Sequence, residues 1–525
     1  MEGAFFKTKK DIVREKIDFL DNKVRELNFA LLFVSFVLFT LFAFFINKGL
    51  NIKALYMDDL YMWSWYAEAD FVKFMTKDIG QWYRPVYWFF CYIECVLVGN
   101  NPVGFYIVNI IFNCLIALFV YYFAKKLCNN FFVSFLAGIL YLVSHFSYYQ
   151  IGQMLGLLES LCMLFSLCFL FFVLKYLNCE IKERSNAYFC LVLIFYALGV
   201  FTHDRLIGLI PVFLVALFFK KKVRLSTKFI KTFICIIALA AMVGIKSYFT
   251  GNVVPPGTGG TKVVDTFSIE QAIRFAFMQV LHVFGFSFGE DYLCGITFDK
   301  LDNIAKTFVY INIIFIAIIE ILYLMVALSY SYKTSIEDLD KPTPRIGMDL
   351  TFLAFIGMNI ISSSSTIRIE LRWLYIPMTG FILFAVFKIA EVCRLINKNS
   401  IKKVMICIFM IWFVSRLFVD MSYRKGYKDI YCIKDQNRLN SLAQETVYKY
   451  GFDNINNSKI YILDGNFKLS DFYASWFFRV FAPNKTDSVP KIEQIYSTSS
   501  DVNNLPSGSI ILKEKDNLLY ESTKK

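Results

Sequence analysis

Long apolar runs alternate with short polar connections along most of the chain, as far as about residue 420. Most of these runs approach the roughly 20 residues that a helix needs to cross a bilayer. The polar, basic residues 1–28 come first and do not resemble a cleavable signal peptide. The pattern predicts about eleven membrane-spanning helices, at residues 29–46, 103–124, 131–149, 155–174, 187–202, 206–219, 229–249, 306–329, 350–365, 373–391 and 403–420.

Lysine and arginine collect in every second connection between these runs. The basic connections are residues 125–126, 175–184, 220–231, 333–345 and 394–403. Because such residues concentrate in cytoplasmic loops, the N-terminus is expected in the cytoplasm and the C-terminal segment outside. The runs at 187–202 and 206–219 are short, and reading residues 187–219 as one span would invert the orientation of all that follows.

Two long connections fall on the outer side in this topology. Residues 47–102 contain an apolar, aromatic-rich run that starts at Trp82 and is too short for a confident span. Residues 250–305 begin with a Gly/Pro-rich stretch and continue into an amphipathic segment from Ile269 to Phe288. Apolar segments of this kind favour helices that lie in the membrane interface.

The remaining residues, 421–525, alternate turn-like and strand-like pieces, which predicts a small mixed α/β domain. The expected fold is therefore an all-α polytopic membrane domain, residues 29–420, with interfacial helices in its outer loops and an extracytoplasmic α/β domain at the C-terminus.

Composition agrees with a membrane protein. With 57% hydrophobic and 18% charged residues and a mean hydropathy of +0.51, the chain is more apolar than a soluble domain of its size. The net charge of +13 follows from the basic connections and does not indicate a nucleic-acid partner. The 13 cysteines include no CxxC pair, so neither a zinc site nor a disulfide framework is indicated.

The stretch YMDDLYMWSWY places two carboxylates, Asp58 and Asp59, shortly after the first predicted span. One interpretation is an ordinary solvated loop or a helix N-cap. The other is a general base at the membrane surface that takes a proton from an acceptor hydroxyl. Because an adjacent acidic pair is a weak ligand set, no metal site is assigned, although a divalent metal stays an open alternative.

Cations at membrane level favour the catalytic interpretation. Arg84 lies in the aromatic run of the first outer loop, and His203, Asp204 and Arg205 lie together between two apolar runs. Such cations could hold an anionic leaving group while a carboxylate activates the acceptor. Arg84 could equally anchor the interfacial helix by snorkelling.

Two further positions have open interpretations. Glu159 lies near the outer end of the fourth run, where an ionisable group is a functional candidate or has a structural partner. Arg372 belongs with Arg368 and Glu370 to a cluster before the tenth run, which is as consistent with a structural ion-pair network as with phosphate contact.

The order of several short motifs resembles the GT-C membrane glycosyltransferases, closest to the protein O-mannosyltransferase branch and its bacterial relatives. The resemblance covers residues 29–125 well and residues 200–220 and 365–390 loosely. Tyr106 stands where those proteins often have histidine, and HDR replaces their usual acidic–basic step. The matching motifs are the acidic pair, Tyr83-Arg84-Pro85, Asn101 to Tyr106 with Asn109, His203-Asp204-Arg205 and Arg372-Trp373-Leu374-Tyr375-Ile376-Pro377.

The resemblance implies an enzyme that moves a monosaccharide from a polyprenyl-phosphate-linked donor to an acceptor hydroxyl on the extracytoplasmic face, with inversion. The expected partners are the lipid-linked donor, membrane lipids and an acceptor glycan or protein of the cell envelope, with no nucleic acid and no certain cofactor. The expected location is the inner or plasma membrane of a bacterium. The expected roles are catalysis by Asp58 and Asp59, donor-phosphate binding by Arg84, His203, Arg205 and Arg372, and substrate binding by Tyr83, Glu159 and Asp204.

Two other classes of protein remain open from the sequence. A transporter or flippase of lipid-linked saccharides would also be polytopic, but it would be expected to show repeated halves and charges midway along several spans. A non-catalytic membrane scaffold would use the outer C-terminal segment for binding, and its acidic pair would be dispensable.

Overall fold

The structure is a computed structural model that describes residues 30–76, 82–254, 263–288, 295–333, 344–396, 398–456, 458–463, 474–483, 489–495 and 505–522. The predicted basic N-terminus, residues 1–28, and the Gly/Pro-rich residues 255–262 lie outside this part of the chain.

The described chain is mainly helical. Its helices are α1 Ala30–Ile46, α2 Asp58–Glu68, α3 Phe71–Thr76, α4 Pro85–Val98, α5 Pro102–Cys128, α6 Phe131–Val143, α7 Tyr148–Gly152, α8 Gly156–Asn178, α9 Lys182–Val200, α10 Ile210–Phe219, α11 Leu225–Thr250, α12 Val263–Thr266, α13 Ile269–Phe284, α14 Asn303–Lys333, α15 Ile346–Ser364, α16 Tyr375–Ile396, α17 Asn399–Arg424, α18 Tyr431–Ala443, α19 Phe452–Ile455 and α20 Ala474–Arg479. The strands are β1 Lys459–Leu463, β2 Lys491–Ile495, β3 Ile510–Lys515 and β4 Leu518–Glu521.

Every predicted apolar run forms a helix, which confirms a multi-pass membrane protein. Seven helices of the described chain are long and apolar enough to span a bilayer by themselves, or eight if the bent pair formed by α6 and residues 145–152 is one span. Helix α1 is apolar but shorter, and α9 and α10 do not pass as single spans. The structure therefore supports fewer complete spans than the eleven predicted, since several apolar runs form short or bent helices.

Helices α9 and α10 run back to back as a hairpin and do not form one continuous helix. The Lys220 ammonium bonds the Tyr176 and Cys179 carbonyls, and Lys222 pairs with Glu180 at 2.9 Å, so the end of α10 returns to the beginning of α9. At the other end, the Val86 amide donates to the Phe201 carbonyl at 3.3 Å. The alternative of a single span over residues 187–219 is excluded.

The two ends of the helical bundle differ in chemistry. At one end, Asn178 contacts Met348 at 3.2 Å, and Arg345 and Arg394 both pair with Glu391. These contacts show that the basic connections after α8, before α15 and after α16 lie at the same end of the bundle. The other end carries the turns before α8, α10 and α16 together with the first outer loop. This grouping is the one that the charge pattern predicts.

Two helices in the outer loops turn apolar stripes away from the protein. Helix α4, 14 residues long, exposes Phe89, Ile93 and Leu97, and α13 exposes Ile269, Ile273 and Phe277 along one face. Both stripes recur at i, i+4 and i+8, as expected of interfacial helices. The opposite face of α13, with the buried Phe275, Gln279, His282 and Val283, packs mainly against α15.

The C-terminal segment forms a small α/β unit, as predicted. Its four strands are ordered β2-β1-β3-β4, with β1 parallel to both β2 and β3 and β3 antiparallel to β4. Asp516 and Asn517 have φ of 54° and 61°, the left-handed pair that a tight β3–β4 hairpin requires. Helix α17 ends at Arg424, four residues beyond the predicted end of the membrane domain.

The C-terminal unit rests on the first outer loop. Arg479 pairs with Glu68, Asn100 donates to the Val480 carbonyl at 2.7 Å, and Gln436 donates to the Gly152 carbonyl at 2.7 Å. These contacts place the beginning of α18 next to the cavity described below.

Candidate active site

A cavity of about 930 Å³ opens at the end of the bundle that carries the outer loops. Its walls come from the beginning of α2, the aromatic run before α4, the turn between α7 and α8, the turn between α9 and α10, the end of α11, the segment between α15 and α16 and the first residue of α18. The predicted site residues that line it are Asp58, Tyr83, Arg84, Glu159, His203, Asp204, Arg205 and Arg372. Tertiary structure thus brings together positions more than 300 residues apart.

Asp58 is the first residue of α2 and is open to the cavity. The preceding Met57 has φ 44° and ψ −108°, a conformation that costs a non-glycine residue about 1–3 kcal/mol and is often found at functional sites. Within the described part of the chain, Asp58 is the one carboxylate of this cavity without a hydrogen bond or ion pair. The protein around the cavity mouth removes part of the hydration of Asp58 and raises its pKa, although the Arg372 guanidinium acts in the opposite direction.

Asp59 points away from the cavity, and the structure does not support its predicted catalytic role. Its side chain is buried, and its two oxygens accept the backbone amides of Met154 and Leu155 at 3.1 and 2.9 Å. Burial raises the pKa of Asp59 to about 7, while the two amides act in the opposite direction. The physical reason for the difference is helical geometry, since consecutive residues point about 100° apart.

The turn that Asp59 holds is fixed from a second side by Asn109. The Asn109 side chain donates to the Gln153 carbonyl at 2.7 Å, so this position of the sequence motif is structural. Gly156 follows the turn, and a Cβ there would lie 2.2 Å from the Gln150 carbonyl oxygen. The close approach of these backbones requires glycine, and it sets the position of α2 relative to α8.

Arg84, Asp204 and Lys246 form what we call the lysine–arginine cluster. Asp204 accepts from Lys246 at 2.7 Å and pairs with Arg84 at 3.4 Å, so two cations share one carboxylate. Lys246 also donates to the Tyr83 carbonyl at 2.8 Å. Sequence reasoning missed Lys246, although an ionisable residue near the end of an apolar run was a signal that could have found it.

Arg205, Arg368, Arg372, Glu159 and Glu370 form what we call the arginine cluster. Arg205 pairs with Glu159, Arg368 with Glu370 at 2.6 Å, and Arg372 with Glu370 at 3.4 Å and with Glu159 at 3.9 Å. The five residues together carry one net positive charge. The ion-pair network considered from the sequence is present, and it faces the cavity.

His203 lies between the two clusters, and it is not a cation. Burial and the surrounding arginines and Lys246 hold the pKa of His203 well below its usual range, so the ring is neutral at pH 7. Its Nδ1 accepts the Arg205 backbone amide at 3.2 Å, which leaves the ring proton on Nε2. His203 can therefore donate a neutral hydrogen bond to a ligand. It cannot offset a negative charge, although the sequence analysis expected it to act as a cation.

Aromatic rings complete the cavity wall. The Tyr83 ring stacks on Phe249 with centroids 4.2 Å apart, so this predicted substrate-binding residue also supports the wall itself. The Arg372 guanidinium lies 4.0 Å above the Tyr149 ring, and Trp82 lies 4.1 Å from Arg84. Such aromatic faces suit the apolar faces of a sugar as well as the stems of arginines.

The described residues do not fit a divalent metal. They contain no group of three or more His, Cys, Asp or Glu side chains placed to hold one. The carboxylates of the cavity are engaged by cations, with the exception of Asp58, and Asp59 is engaged by amides. This part of the chain therefore offers no ready ligand set for the divalent metal that the sequence left open.

Comparison with known proteins bears on this cavity directly. Residues 84–246 match the family model for dolichyl-phosphate-mannose-protein mannosyltransferases. The match spans less than a third of the chain, and it includes Arg84, Glu159, the turn at His203 and Lys246. It confirms the resemblance to the GT-C membrane glycosyltransferases that the sequence motifs indicate.

Solved structures and curated proteins add less. The crystal structure of ArnT from Cupriavidus metallidurans in the apo state is similar with a TM-score of 0.44 and 10% identity, covering 91% of this chain and 93% of that chain. No curated protein matches the chain.

Proposed function

We propose that this protein transfers a monosaccharide from a polyprenyl-phosphate-linked donor to an acceptor hydroxyl, with inversion at the anomeric carbon. The observation that carries the proposal is the position of Asp58. It is a carboxylate without a partner in the described structure, and it faces a cavity whose other acids are paired with cations. The family match supports the same reaction class.

The reaction requires one base and one stabilised leaving group. The Asp58 carboxylate takes the proton of the acceptor hydroxyl while the hydroxyl oxygen bonds to the anomeric carbon. The bond from that carbon to the phosphate oxygen breaks, and its electron pair leaves with the polyprenyl phosphate, which gains a second negative charge. A positioned base typically contributes about 10²–10⁴-fold in rate.

The lysine–arginine cluster suits the donor phosphate. Arg84 and Lys246 share one carboxylate, so the cluster carries a net positive charge that complements a phosphodiester and strengthens as the phosphate leaves. Lys246 belongs to α11, a membrane-spanning helix, at the end that faces the cavity. A lipid-linked phosphate would reach this depth while its chain stays in the bilayer. His203 can add a neutral hydrogen bond to the same phosphate.

The proposed orientation follows the charge pattern. The basic end of the bundle faces the cytoplasm, and the cavity with the C-terminal unit, residues 421–525, faces outward. Residues 29–420 form the membrane domain and include the outer loops 47–102 and 250–305. A bacterial inner or plasma membrane is the proposed location, with a cell-envelope glycan, lipid or protein as the acceptor.

The test is a transfer assay in detergent with radiolabelled polyprenyl-phosphate sugars and, in parallel, the matching nucleotide sugars. The expected result is product or donor hydrolysis from the lipid-linked donor alone, with inverted configuration in the product. Lys246→Gln is expected to raise the donor KM, because it removes the positive charge that attracts the donor phosphate. Lys222→Gln, a matched change at an exposed site on the basic end, is expected to leave the donor KM unchanged. Turnover from nucleotide sugars would refute the lipid-linked donor. An absence of turnover with every donor would refute the proposal and favour a flippase or a scaffold instead.

A further inference from the structure

The two cation clusters occupy different walls of the cavity. The lysine–arginine cluster is built from the run before α4, the turn before α10 and the end of the membrane helix α11. The arginine cluster is built mainly from the segment between α15 and α16 and the start of α8, and Arg205 joins it from the turn before α10. His203 lies where the clusters adjoin, since it precedes Asp204 of the first cluster and its Nδ1 accepts the backbone amide of Arg205 of the second at 3.2 Å.

Asp58 lies beside the arginine cluster. The adjacent Asp59 accepts the amides of Met154 and Leu155 at 3.1 and 2.9 Å, which holds the beginning of α2 against the start of α8, where Glu159 of this cluster lies. The Arg372 guanidinium also counteracts the burial that raises the pKa of Asp58. The Tyr149 ring lies 4.0 Å from the Arg372 guanidinium, and Tyr149 lines the cavity together with Asp58. Tyr431, the first residue of α18 in the C-terminal unit, also lines the cavity.

An inverting displacement separates base and leaving group. The acceptor oxygen and its base approach one face of the anomeric carbon, and the phosphate departs from the opposite face. If Asp58 is the base, the arginines beside it lie on the acceptor side and cannot follow the leaving phosphate. Arg205 and Arg372, which the sequence assigned to the donor phosphate, therefore need another ligand.

We propose that the arginine cluster binds an anionic group of the acceptor, a carboxylate or a phosphate located close to the hydroxyl that is glycosylated. This inference rests on the proposed function and names the class of its acceptor. Three arginines share two carboxylates, so the cluster keeps a net positive charge, and the Arg372 side chain is 19% exposed. Planar guanidinium groups match carboxylate and phosphate oxygens in bidentate pairs. An acceptor without an anionic group would form no ion pair with these arginines.

The test uses two acceptor probes that differ in charge alone, octyl glucuronide and octyl glucuronamide. The readout is the ratio of their apparent affinities, measured as acceptors or as inhibitors of donor hydrolysis with polyprenyl-phosphate sugar as donor. The wild type is expected to favour the carboxylate by roughly ten- to a hundredfold, the range of a hydrogen bond to a charged group. Arg372→Gln is expected to bring the ratio close to one.

Matched variants separate this inference from the proposed function. Lys246→Gln is expected to raise the donor KM while the preference for the carboxylate persists. Arg184→Gln, at an exposed site on the basic end, is the control for arginine removal. Arg372→Lys keeps the charge and is expected to retain part of the preference if Arg372→Gln does not fold.

Three outcomes are decisive. A wild-type ratio near one overturns the inference without any variant. An increase in donor KM with Arg372→Gln, at an unchanged ratio, also overturns it, since the arginines would then hold the donor phosphate. An absence of both hydrolysis and transfer from every polyprenyl-phosphate sugar refutes the proposed function itself.

Discussion

Exchanging each member of the acidic pair for its amide should have different consequences, because the two side chains point to different places. Asp58→Asn keeps the size of the side chain but removes the base from the cavity. Transfer should fall by about 10²–10⁴-fold, equivalent to about 3–5 kcal/mol of activation free energy, while folding and donor KM change little.

Asp59→Asn should instead reduce stability. An asparagine oxygen can accept one of the two amides of Met154 and Leu155, but its NH₂ group would face the other amide. A buried N–H that loses its acceptor costs about 1–3 kcal/mol. Turnover should fall only as far as the loosened turn displaces α2, so the loss should be smaller than that for Asp58→Asn.

The assay pairs radiolabelled transfer with thermal unfolding of the purified protein in detergent. Asp299→Asn, an exposed change in the outer loop, is the matched control and should leave both measurements unchanged. Near-wild-type transfer by Asp58→Asn would refute the mechanism. Loss of transfer by Asp59→Asn at full thermal stability would refute the structural role assigned to Asp59.

Three further predictions concern the same wall of the cavity. Because the pKa of Asp58 is raised and the base acts when ionised, kcat/KM should fall as the pH drops through a value above the ordinary carboxyl range of about 4; a plateau maintained down to pH 4 would contradict this. Met57→Gly should have a higher thermal midpoint than Met57→Ala, since both lose the Met57 side chain that packs against the core and glycine alone adopts this backbone conformation without strain. Gly156→Ala should lower both stability and turnover because the turn beneath Asp59 must move, whereas Gly357→Ala, where a Cβ meets nothing within 4 Å, should be tolerated.

Much of the helical architecture was predictable because burial in a bilayer demands long apolar runs and satisfied backbone hydrogen bonds. Each predicted run is helical, and the charge pattern predicted which ends gather together. The number of complete spans was less predictable. An apolar run that bends at Ser144 or ends early at Phe219 has the composition of a span but not its length.

Among the site residues, local sequence identified the types that belong in the cavity but not their partners. Asp58, Glu159, Arg205 and Arg372 all line the cavity. Lys246 escaped notice because a single lysine at the end of a span is an ordinary interfacial anchor unless its neighbours are known. Asp204 was expected to bind substrate, whereas in the structure its two oxygens contact Lys246 and Arg84.

The sequence by itself therefore determined the class of protein, the helices and the supply of charges at membrane level, because these depend on composition and on periodicities of a few residues. Only the tertiary structure decided that Asp58 faces the cavity and Asp59 faces the turn at residues 154–155. Adjacent residues of a helix point in different directions, and the elements that pack around the helix determine what each of them contacts. The tertiary structure also decided which cations belong to the lysine–arginine cluster and which to the arginine cluster. The pairing of charges from α8, α11 and the segment before α16 depends on how the helices pack, and no local pattern in the chain records it.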